Sequence, residues 1–322
     1  MSDIHSLPVA VLCGGIGAER KVSLLSGEAV YRALSDDGRR LNVKKIELTG
    51  RPGEIADLAG EYGAGKGLVY LALHGEYGED GTVQAELEKA GIVYTGSDAA
   101  VSALAMDKER SKRALKAGGV PVARGFMVVK DTPEAAADAV IRRLETEGIA
   151  LPVVVKPNGR GSSVGVTLVK KPKELAQALV AALAEDRAAL VEEYMRGTEI
   201  TVSVLDGTAL PIVELAPKQE FYDYQAKYLV DTTEYYCPAR FDAAKTAEIQ
   251  RLAVSAWRAL GLRDAARIDF IVGADGMIAL EANTLPGMTS HSLLPKAAGV
   301  DGLDFAGLCW RICEIAARRI NR

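Results

Sequence analysis

The rhythm of apolar segments changes near residue 150, and this change restricts the possible folds more than any other feature of the sequence. Before it, short apolar runs typical of buried strands alternate with helical patterns. The predicted elements are strands at 8–13, 43–48 and 68–73 and helices at 20–35, 81–90 and 98–117. This alternation predicts an α/β unit in which helices cover a parallel sheet.

A second unit begins with a predicted strand at 126–129, and from residue 150 onward the predicted strands lie close together. The further strands are 153–156, 166–170, 189–193, 199–205, 209–214, 266–272 and 277–283, and the helices are 172–184, 242–260 and 303–320. Such crowding favours antiparallel or mixed sheets, so we predict an α+β region. Residues 216–236 lack periodicity and are predicted to form a long loop, which in a compact domain is usually functional.

Length and charge limit the class of protein. A chain of 322 residues is long enough for two or three domains. The net charge of −4 argues against a nucleic-acid-binding protein, which would need a basic face. The sequence shows neither a secretory signal nor an apolar run long enough to span a membrane, so we expect a cytoplasmic protein without a membrane partner. Cys309 and Cys313 lie one helical turn apart and are predicted to be core residues.

Two glycine-rich segments resemble nucleotide-binding motifs but fail in detail. Residues 60–67 come close to the P-loop pattern, yet Gly67 cannot supply the hydroxyl that holds magnesium, and a strand follows instead of a helix. Residues 15–20 begin like a dinucleotide fingerprint, but Arg20 replaces the third glycine. The rival class of nicotinamide-dependent dehydrogenases rests on that fragment alone.

A third glycine-rich segment, at 158–165, is a better candidate for a phosphate site. It follows Lys156 at the end of a predicted strand, and it contains Ser162 and Ser163. Glycines let backbone N–H groups approach phosphate oxygens closely, and the serine hydroxyls add donors. An ordinary hairpin turn is the alternative, but the segment is longer than such a turn needs. We therefore predict a loop that covers phosphate groups.

Two predicted strands farther along the chain carry acidic and amide side chains. Asp269 lies on the first, and Glu281 and Asn283 share one face of the second because side chains alternate along a strand. A hairpin-like connection at 273–276 would bring these side chains together as the oxygen ligands that Mg²⁺ prefers. A surface hairpin with solvated charges is the alternative. The apolar neighbours argue against it, because buried carboxylates need partners or a metal.

The next segment offers two further groups. Gly287 can present its backbone N–H to an oxyanion, and Ser292 fits the start of a short helix. The free N–H groups of such a helix suit a substrate carboxylate. Taken alone, the segment is equally compatible with a proline turn and a helix cap.

In this order the segments resemble the D-alanine–D-alanine ligase family, part of the ATP-grasp superfamily, over nearly the whole chain. The matching stretches lie at 14–24, 74–81, 94–97, 106–108, 156–165, 221–228, 267–269 and 281–292. Any one of these motifs could mislead, whereas the ordered set is specific. The resemblance implies an enzyme that joins two D-alanines through a D-alanyl phosphate intermediate, for peptidoglycan synthesis.

The same resemblance implies three domains. Residues 1–100 would form an N-terminal α/β domain that binds the first substrate, and residues 101–191 a central ATP-grasp subdomain. Residues 192–322 would form a C-terminal ATP-grasp subdomain with the metal site and a lid loop at 216–236. ATP would bind as a co-substrate between the central and C-terminal subdomains.

Ligand and catalytic residues are implied as well. Two Mg²⁺ ions, for which Mn²⁺ can substitute, would be held by Asp269, Glu281 and Asn283. The implied ATP contacts are Lys108, Lys156, Ser162, Ser163, Glu192, Glu193, Met195, Glu199 and Lys227. The implied catalytic residues are Glu19, Ser162, Tyr228, Arg267 and Gly287. The implied substrate contacts are Glu19, His74, Lys227, Ser292 and Leu293.

Several alternatives stay open at this level. His74 could be a satisfied core histidine and Tyr228 a packed loop aromatic. The enzyme could instead join D-alanine to D-lactate or D-serine, although tyrosine at 228 favours D-alanine, since the D-lactate relatives have phenylalanine there. A non-catalytic ATP-binding regulator is the rival from another class. The family resemblance also predicts a homodimer.

Overall fold

A computed structural model of the chain describes residues 7–36, 42–217, 233–274 and 276–320. Lys227, Tyr228 and residues 218–232 of the predicted loop lie outside these residues. The loop bounds of 216 and 236 are wrong, because strands occupy Val213–Pro217 and Thr233–Tyr236. None of the helices in the described residues combines the length and the apolar character that a membrane-spanning segment needs.

The N-terminal part contains the predicted parallel sheet. Its strands are β1 Val9–Gly14, β2 Val43–Leu48, β3 Leu68–Leu71 and β4 Val93–Tyr94, in the order β2-β1-β3-β4. All three pairings are parallel, which confirms the predicted α/β class. The helices here are α1 Arg20–Asp36, α2 Glu54–Asp57, α3 Ala59–Tyr62 and α4 Thr82–Lys89. Each of α2 and α3 is a single turn, too short to produce a periodic signal.

A smaller antiparallel sheet follows. Its strands are β5 Gly125–Val129, β6 Val153–Pro157, β7 Thr167–Val169 and β8 Ala188–Glu193, in the order β5-β8-β6-β7. Apart from 3₁₀ turns at Pro133–Ala135 and Pro172–Glu174, its helices are α7 Ala137–Thr146 and α8 Leu175–Glu185. Helix α7 was not predicted from the pattern, because it buries only Val140 and Leu144.

The largest sheet carries the predicted acidic hairpin. Its strands are β9 Thr198–Leu205, β10 Thr208–Ala209, β11 Val213–Pro217, β12 Thr233–Tyr236, β13 Ala265–Gly273 and β14 Gly276–Asn283. The order is β12-β11-β9-β13-β14, with β10 beside β9, and every pairing is antiparallel. The single strand predicted at 209–214 is wrong: Pro211, which has no N–H to donate, separates β10 from β11.

Helices α5 Ala99–Met106 and α6 Lys108–Ala117 connect the sheets. They replace the one helix predicted at 98–117, because Asp107 ends α5 and its carboxylate caps the next helix by accepting from the Arg110 N–H at 3.0 Å. Leu115 of α6 and the nearby Val120 are buried in the same cluster as the core of the largest sheet. The domain boundaries at 100 and 191 stay a prediction.

The remaining helices are α9 Ala243–Leu260, α10 Leu293–Val300 and α11 Phe305–Ala317. Helix α11 packs against α1 and against the parallel sheet, so the end of the chain joins the N-terminal core. Cys309 and Cys313 are fully buried there, as predicted.

Candidate active site

Two adjoining cavities lie where the three sheets meet. The larger, of about 910 Å³, is lined by residues from all three parts of the chain, and the smaller, of about 440 Å³, lies between the small and the large antiparallel sheets. The residues that line both cavities are Lys108, Glu199, Leu215, Asp269 and Glu281. Any group placed against these residues is accessible from both cavities.

The acidic hairpin lies at this junction. Asp269 of β13 is directly opposite Glu281 of β14 in the strand register, and the register shifts just after Asp269. Asp269 is 8% exposed and accepts hydrogen bonds from Arg267 at 3.1 Å and from the Thr201 hydroxyl at 2.5 Å. A buried carboxylate is therefore already oriented by two donors, one on its own strand and one on β9.

The other two predicted metal ligands face the same cavity. Glu281 lies 3.3 Å from the Lys108 ammonium, and the Asn283 amide oxygen accepts from the Leu285 N–H at 3.0 Å. The part of the chain that the structure describes contains no group of three or more His, Cys, Asp or Glu side chains that could hold a metal. Two carboxylates and one amide suit Mg²⁺, which takes few protein ligands and fills its shell with water and phosphate oxygens.

The glycine-rich loop reaches the same junction from the small sheet. Ser162 and Ser163 both have positive φ, 54° and 57°, which is uncommon for residues other than glycine. Lys108 donates to the Arg160 carbonyl at 2.6 Å, and Asn158 receives the Glu109 N–H at 2.9 Å. The loop is thus held against the start of α6.

A buried charge cluster lies at the smaller cavity, which two of its members, Lys156 and Glu192, line. Lys156 lies 2.7 Å from one oxygen of Glu192, and Lys112 contacts the other oxygen. Burial alone would raise the pKa of Glu192, but the Lys156 and Lys112 ammonium groups outweigh it and lower that pKa. Sequence reasoning missed Lys112, although its position one turn after Lys108 on the same helix was a usable signal.

Further predicted ATP contacts belong to the same cavity. Glu193, Met195 and Glu199 all line it. Glu193 is partly exposed and pairs with Arg124 at 2.8 Å. The structure therefore brings the 192–195 segment, Lys156 and Ser163 together around one space.

Glu19 and the loop meet on the larger cavity. The Ser162 hydroxyl donates to Glu19 at 2.5 Å, which joins the N-terminal part to the glycine-rich loop. Gly75 adopts a φ of +72°, and a Cβ there would come within 2.4 Å of the Glu19 carboxylate. A larger residue at position 75 would be strained at this φ and would displace the Glu19 carboxylate.

His74 belongs to a chain of polar contacts on the same side. Its Nε2 lies 2.9 Å from the Ser26 hydroxyl, and its Nδ1 lies 3.9 Å from Glu79. Ser26 in turn accepts from the Met288 N–H at 3.3 Å. Burial raises the pKa of Glu79. His74 is both satisfied in the core and part of the cavity lining, and sequence reasoning missed Ser26 and Glu79.

The predicted carboxylate site belongs to the lining of the larger cavity. Ser292 precedes α10, which begins at Leu293, and its hydroxyl accepts from the Thr289 N–H at 2.9 Å. A Cβ on Gly287 would lie 2.7 Å from the Ser292 hydroxyl oxygen, so the two residues are in close approach. Gly287, Ser292 and Leu293 line the larger cavity together with Arg267.

This arrangement defines a class of protein: an ATP-dependent ligase with the ATP-grasp fold. A lysine- and loop-lined cavity faces a second cavity across an acidic hairpin, as expected where ATP activates a carboxylate for attack by an amine.

Comparisons with known proteins agree. Residues 114–314 match the family model "D-ala D-ala ligase C-terminus". A D-alanine--D-alanine ligase from Mannheimia succiniciproducens is 42% identical over 98% of this chain and 100% of its own length. The D-alanine--D-alanine ligase from Bacillus anthracis, solved complexed with ATP, has a TM-score of 0.82 and 31% identity over 98% of this chain and 99% of its own. The VanG D-Ala:D-Ser ligase from Enterococcus faecalis has a TM-score of 0.83 and 29% identity over 97% and 99%.

The chain therefore belongs to the D-alanine–D-alanine ligase family.

Proposed function

We propose that this enzyme joins two D-alanines into D-alanyl-D-alanine at the expense of ATP. One observation carries this proposal: Lys108, Asp269 and Glu281 line both cavities. A nucleotide in the smaller cavity would have its terminal phosphate at these residues. A carboxylate in the larger cavity would reach that phosphate from the other side.

The smaller cavity suits ATP. Glu192, Glu193 and Met195 would hold the adenine and Glu199 the ribose, and all four residues line this cavity. Lys108, Lys156 and the loop at Ser162 and Ser163 would contact phosphates. A role for Lys227 lies outside the described residues and stays a prediction.

The acidic hairpin suits Mg²⁺. Asp269, Glu281 and Asn283 would hold two ions, with Mn²⁺ able to replace them. Bound Mg²⁺ would neutralise charge on the β- and γ-phosphates.

The first step is phosphoryl transfer. An oxygen of the first D-alanine carboxylate attacks the γ-phosphorus, the bond to the bridging β–γ oxygen breaks, and ADP leaves. Glu19, kept in place by Ser162, would pair with the substrate ammonium and orient it. The product of this step is D-alanyl phosphate.

The second step forms the peptide bond. The neutral amine of the second D-alanine attacks the carbonyl carbon, the C–O bond to phosphate breaks, and the departing phosphate takes up the extra proton of the nitrogen. Arg267 and the Gly287 N–H would stabilise the tetrahedral oxyanion. Ser292 and the Leu293 N–H would hold the carboxylate of the second D-alanine.

Specificity for the second substrate rests on a residue outside the described part of the chain. Tyr228 favours D-alanine over D-lactate, as the sequence predicts. The structural similarity to a D-Ala:D-Ser ligase keeps D-serine as the second candidate, because both kinds of ligase share this fold.

A coupled assay tests the proposal. The purified enzyme with ATP, Mg²⁺ and D-alanine should release ADP and yield the dipeptide, whereas D-lactate or D-serine as second substrate should react poorly. L-alanine is the control. If D-alanine gave no ADP release above the L-alanine level, the proposed function would be wrong, and preferential use of D-serine would reassign the second substrate.

The biological role, location and oligomeric state of the enzyme are proposed from its family membership. The dipeptide would enter peptidoglycan, the reaction would take place in the cytoplasm, and the enzyme would be a homodimer. Sedimentation velocity of the purified protein distinguishes a dimer from a monomer.

A further inference from the structure

Lys112 lies beside the smaller cavity without lining it. Lys112 is buried, with 8% of its surface exposed, and its ammonium contacts Oε1 of Glu192, while Lys156 lies 2.7 Å from Oε2. Lys156 and Glu192 both line the cavity, and Lys112 does not. Each carboxylate oxygen of Glu192 therefore has its own ammonium partner. A ligand in the cavity can reach Lys156, whereas Lys112 lies outside the cavity lining.

The charge balance of this cluster explains why two lysines are needed. Two ammonium groups and one carboxylate leave one net positive charge next to the cavity. A carboxylate buried to this extent is costly unless a cation stays with it. If Lys156 were the sole partner of Glu192, moving Lys156 to a phosphate would leave the buried carboxylate unpaired.

We propose that Lys112 is a positioning residue for nucleotide binding. By holding and neutralising Glu192, it leaves Lys156 available to turn toward a phosphate of ATP. This inference rests on the proposed function, because it takes the smaller cavity as the ATP site.

The position of Lys112 in the fold supports this role. It belongs to α6, which packs on α9 and β14 of the largest sheet, whereas Glu192 is on β8 of the small sheet. Lys112 thus links the helix beside the largest sheet to the small sheet, through a contact that lies outside the lining of the cavity. Its partner Glu192 stays aligned whether or not Lys156 is engaged.

The central experiment compares Lys112→Met with Lys116→Met, a matched control at an exposed position on the same helix. Affinity for ATP is measured by titration calorimetry, and KM for ATP and for D-alanine by steady-state kinetics. Lys112→Met should weaken ATP binding about tenfold and leave KM for D-alanine unchanged. Lys112→Arg, which keeps the charge, should restore most of the ATP affinity. Equal ATP affinity in Lys112→Met and the control would overturn the proposal.

A second comparison shows whether Lys112 acts through Glu192. In a Glu192→Gln background no buried negative charge remains, so adding Lys112→Met should leave ATP affinity as it is in the single Glu192→Gln variant. A tenfold loss on adding it would mean that Lys112 acts by another route. This comparison holds even if Lys112→Met alone does not fold, because the double variant contains no unpaired buried carboxylate.

The Lys156→Met variant distinguishes failure of the ATP assignment for the smaller cavity from failure of the positioning role of Lys112. If neither Lys156→Met nor Glu192→Gln changes ATP affinity, the assignment of the smaller cavity to ATP fails. If both weaken ATP binding and Lys112→Met does not, the role of Lys112 alone fails.

Discussion

The hydroxyl of Ser162 donates a hydrogen bond of 2.5 Å to the carboxylate of Glu19, across 143 residues of sequence. This contact joins the proposed phosphate loop to the proposed ammonium site. The loop proposed to contact the phosphates of ATP therefore also orients the carboxylate proposed to bind the first substrate.

Ser162→Ala should therefore impair use of the first D-alanine. Without the hydroxyl, Glu19 loses a charge-assisted hydrogen bond, a contact worth about 1.5–3 kcal/mol. We expect kcat/KM for D-alanine to fall by about tenfold to a hundredfold. Steady-state kinetics at saturating ATP measures this. Ser162→Ala in a Glu19→Gln background should add little, because the serine acts through the Glu19 carboxylate, and fully additive losses would contradict the coupling.

Arg267→Ala should be nearly inactive. Loss of one oxyanion donor typically lowers kcat by about 10²–10³. Arg267→Lys should also be poor, since lysine cannot reproduce the paired contacts of the guanidinium group with Asp269. The measurement is kcat with both substrates saturating, on variants whose melting temperature matches the parent. More than a tenth of the parental kcat in Arg267→Ala would refute the role.

Thr201 should tune metal binding through Asp269. Its hydroxyl, buried on β9, donates to the Asp269 carboxylate at 2.5 Å. Removal of such an outer partner typically weakens metal binding about 10–100-fold. We expect Thr201→Val to bind Mn²⁺ more weakly in the presence of ATP, as measured by electron paramagnetic resonance, and Thr201→Ser to recover the affinity. Parental Mn²⁺ affinity in Thr201→Val would show that the hydroxyl has no such role.

Arg319 should matter for stability rather than chemistry. It makes two contacts, of 2.6 and 2.7 Å, with Asp264, whose side chain is 1% exposed and also accepts from the Gly96 N–H. Arg319→Ala leaves that carboxylate without its cation and should lower the free energy of unfolding by about 3 kcal/mol. Arg318→Ala, which removes a solvent-exposed pair with Asp206, is the control and should cost under about 1 kcal/mol. Urea denaturation compares them, and equal losses would contradict the prediction.

Glu214 should contribute to acid sensitivity. Hydrogen bonds from Arg240 hold the pKa of Glu214 below its usual value of 4.5. A depressed folded-state pKa means that the pair stabilises the protein fully above pH 4.5 and that this stabilisation is lost as the pH falls below it. Glu214→Gln should therefore lose less stability than the parent between pH 6 and pH 3.5. Urea midpoints at the two pH values measure this. An identical loss in both proteins would exclude the pair as a source of acid sensitivity.

Much of the fold could be predicted from local pattern. Apolar runs located the parallel sheet and the acidic hairpin, because strand periodicity and turn residues act over a few neighbouring positions. The pairing of Asp269 with Glu281 also followed, since a short connection leaves the two strands little choice of partner. Local pattern misled where a single residue interrupted an element, as at Pro211 and Asp107.

Contacts between distant segments could not be read in this way. Ser26 with His74, Lys112 with Glu192 and Thr201 with Asp269 each join residues far apart in the chain. Nothing in the spacing of those residues specifies the partner, because the partner is selected by how helices and sheets pack, and packing depends on the whole buried surface. The sequence thus determined which chemical groups form the site. The residues that hydrogen-bond to those groups and orient them are brought into contact only by the packing of the three sheets.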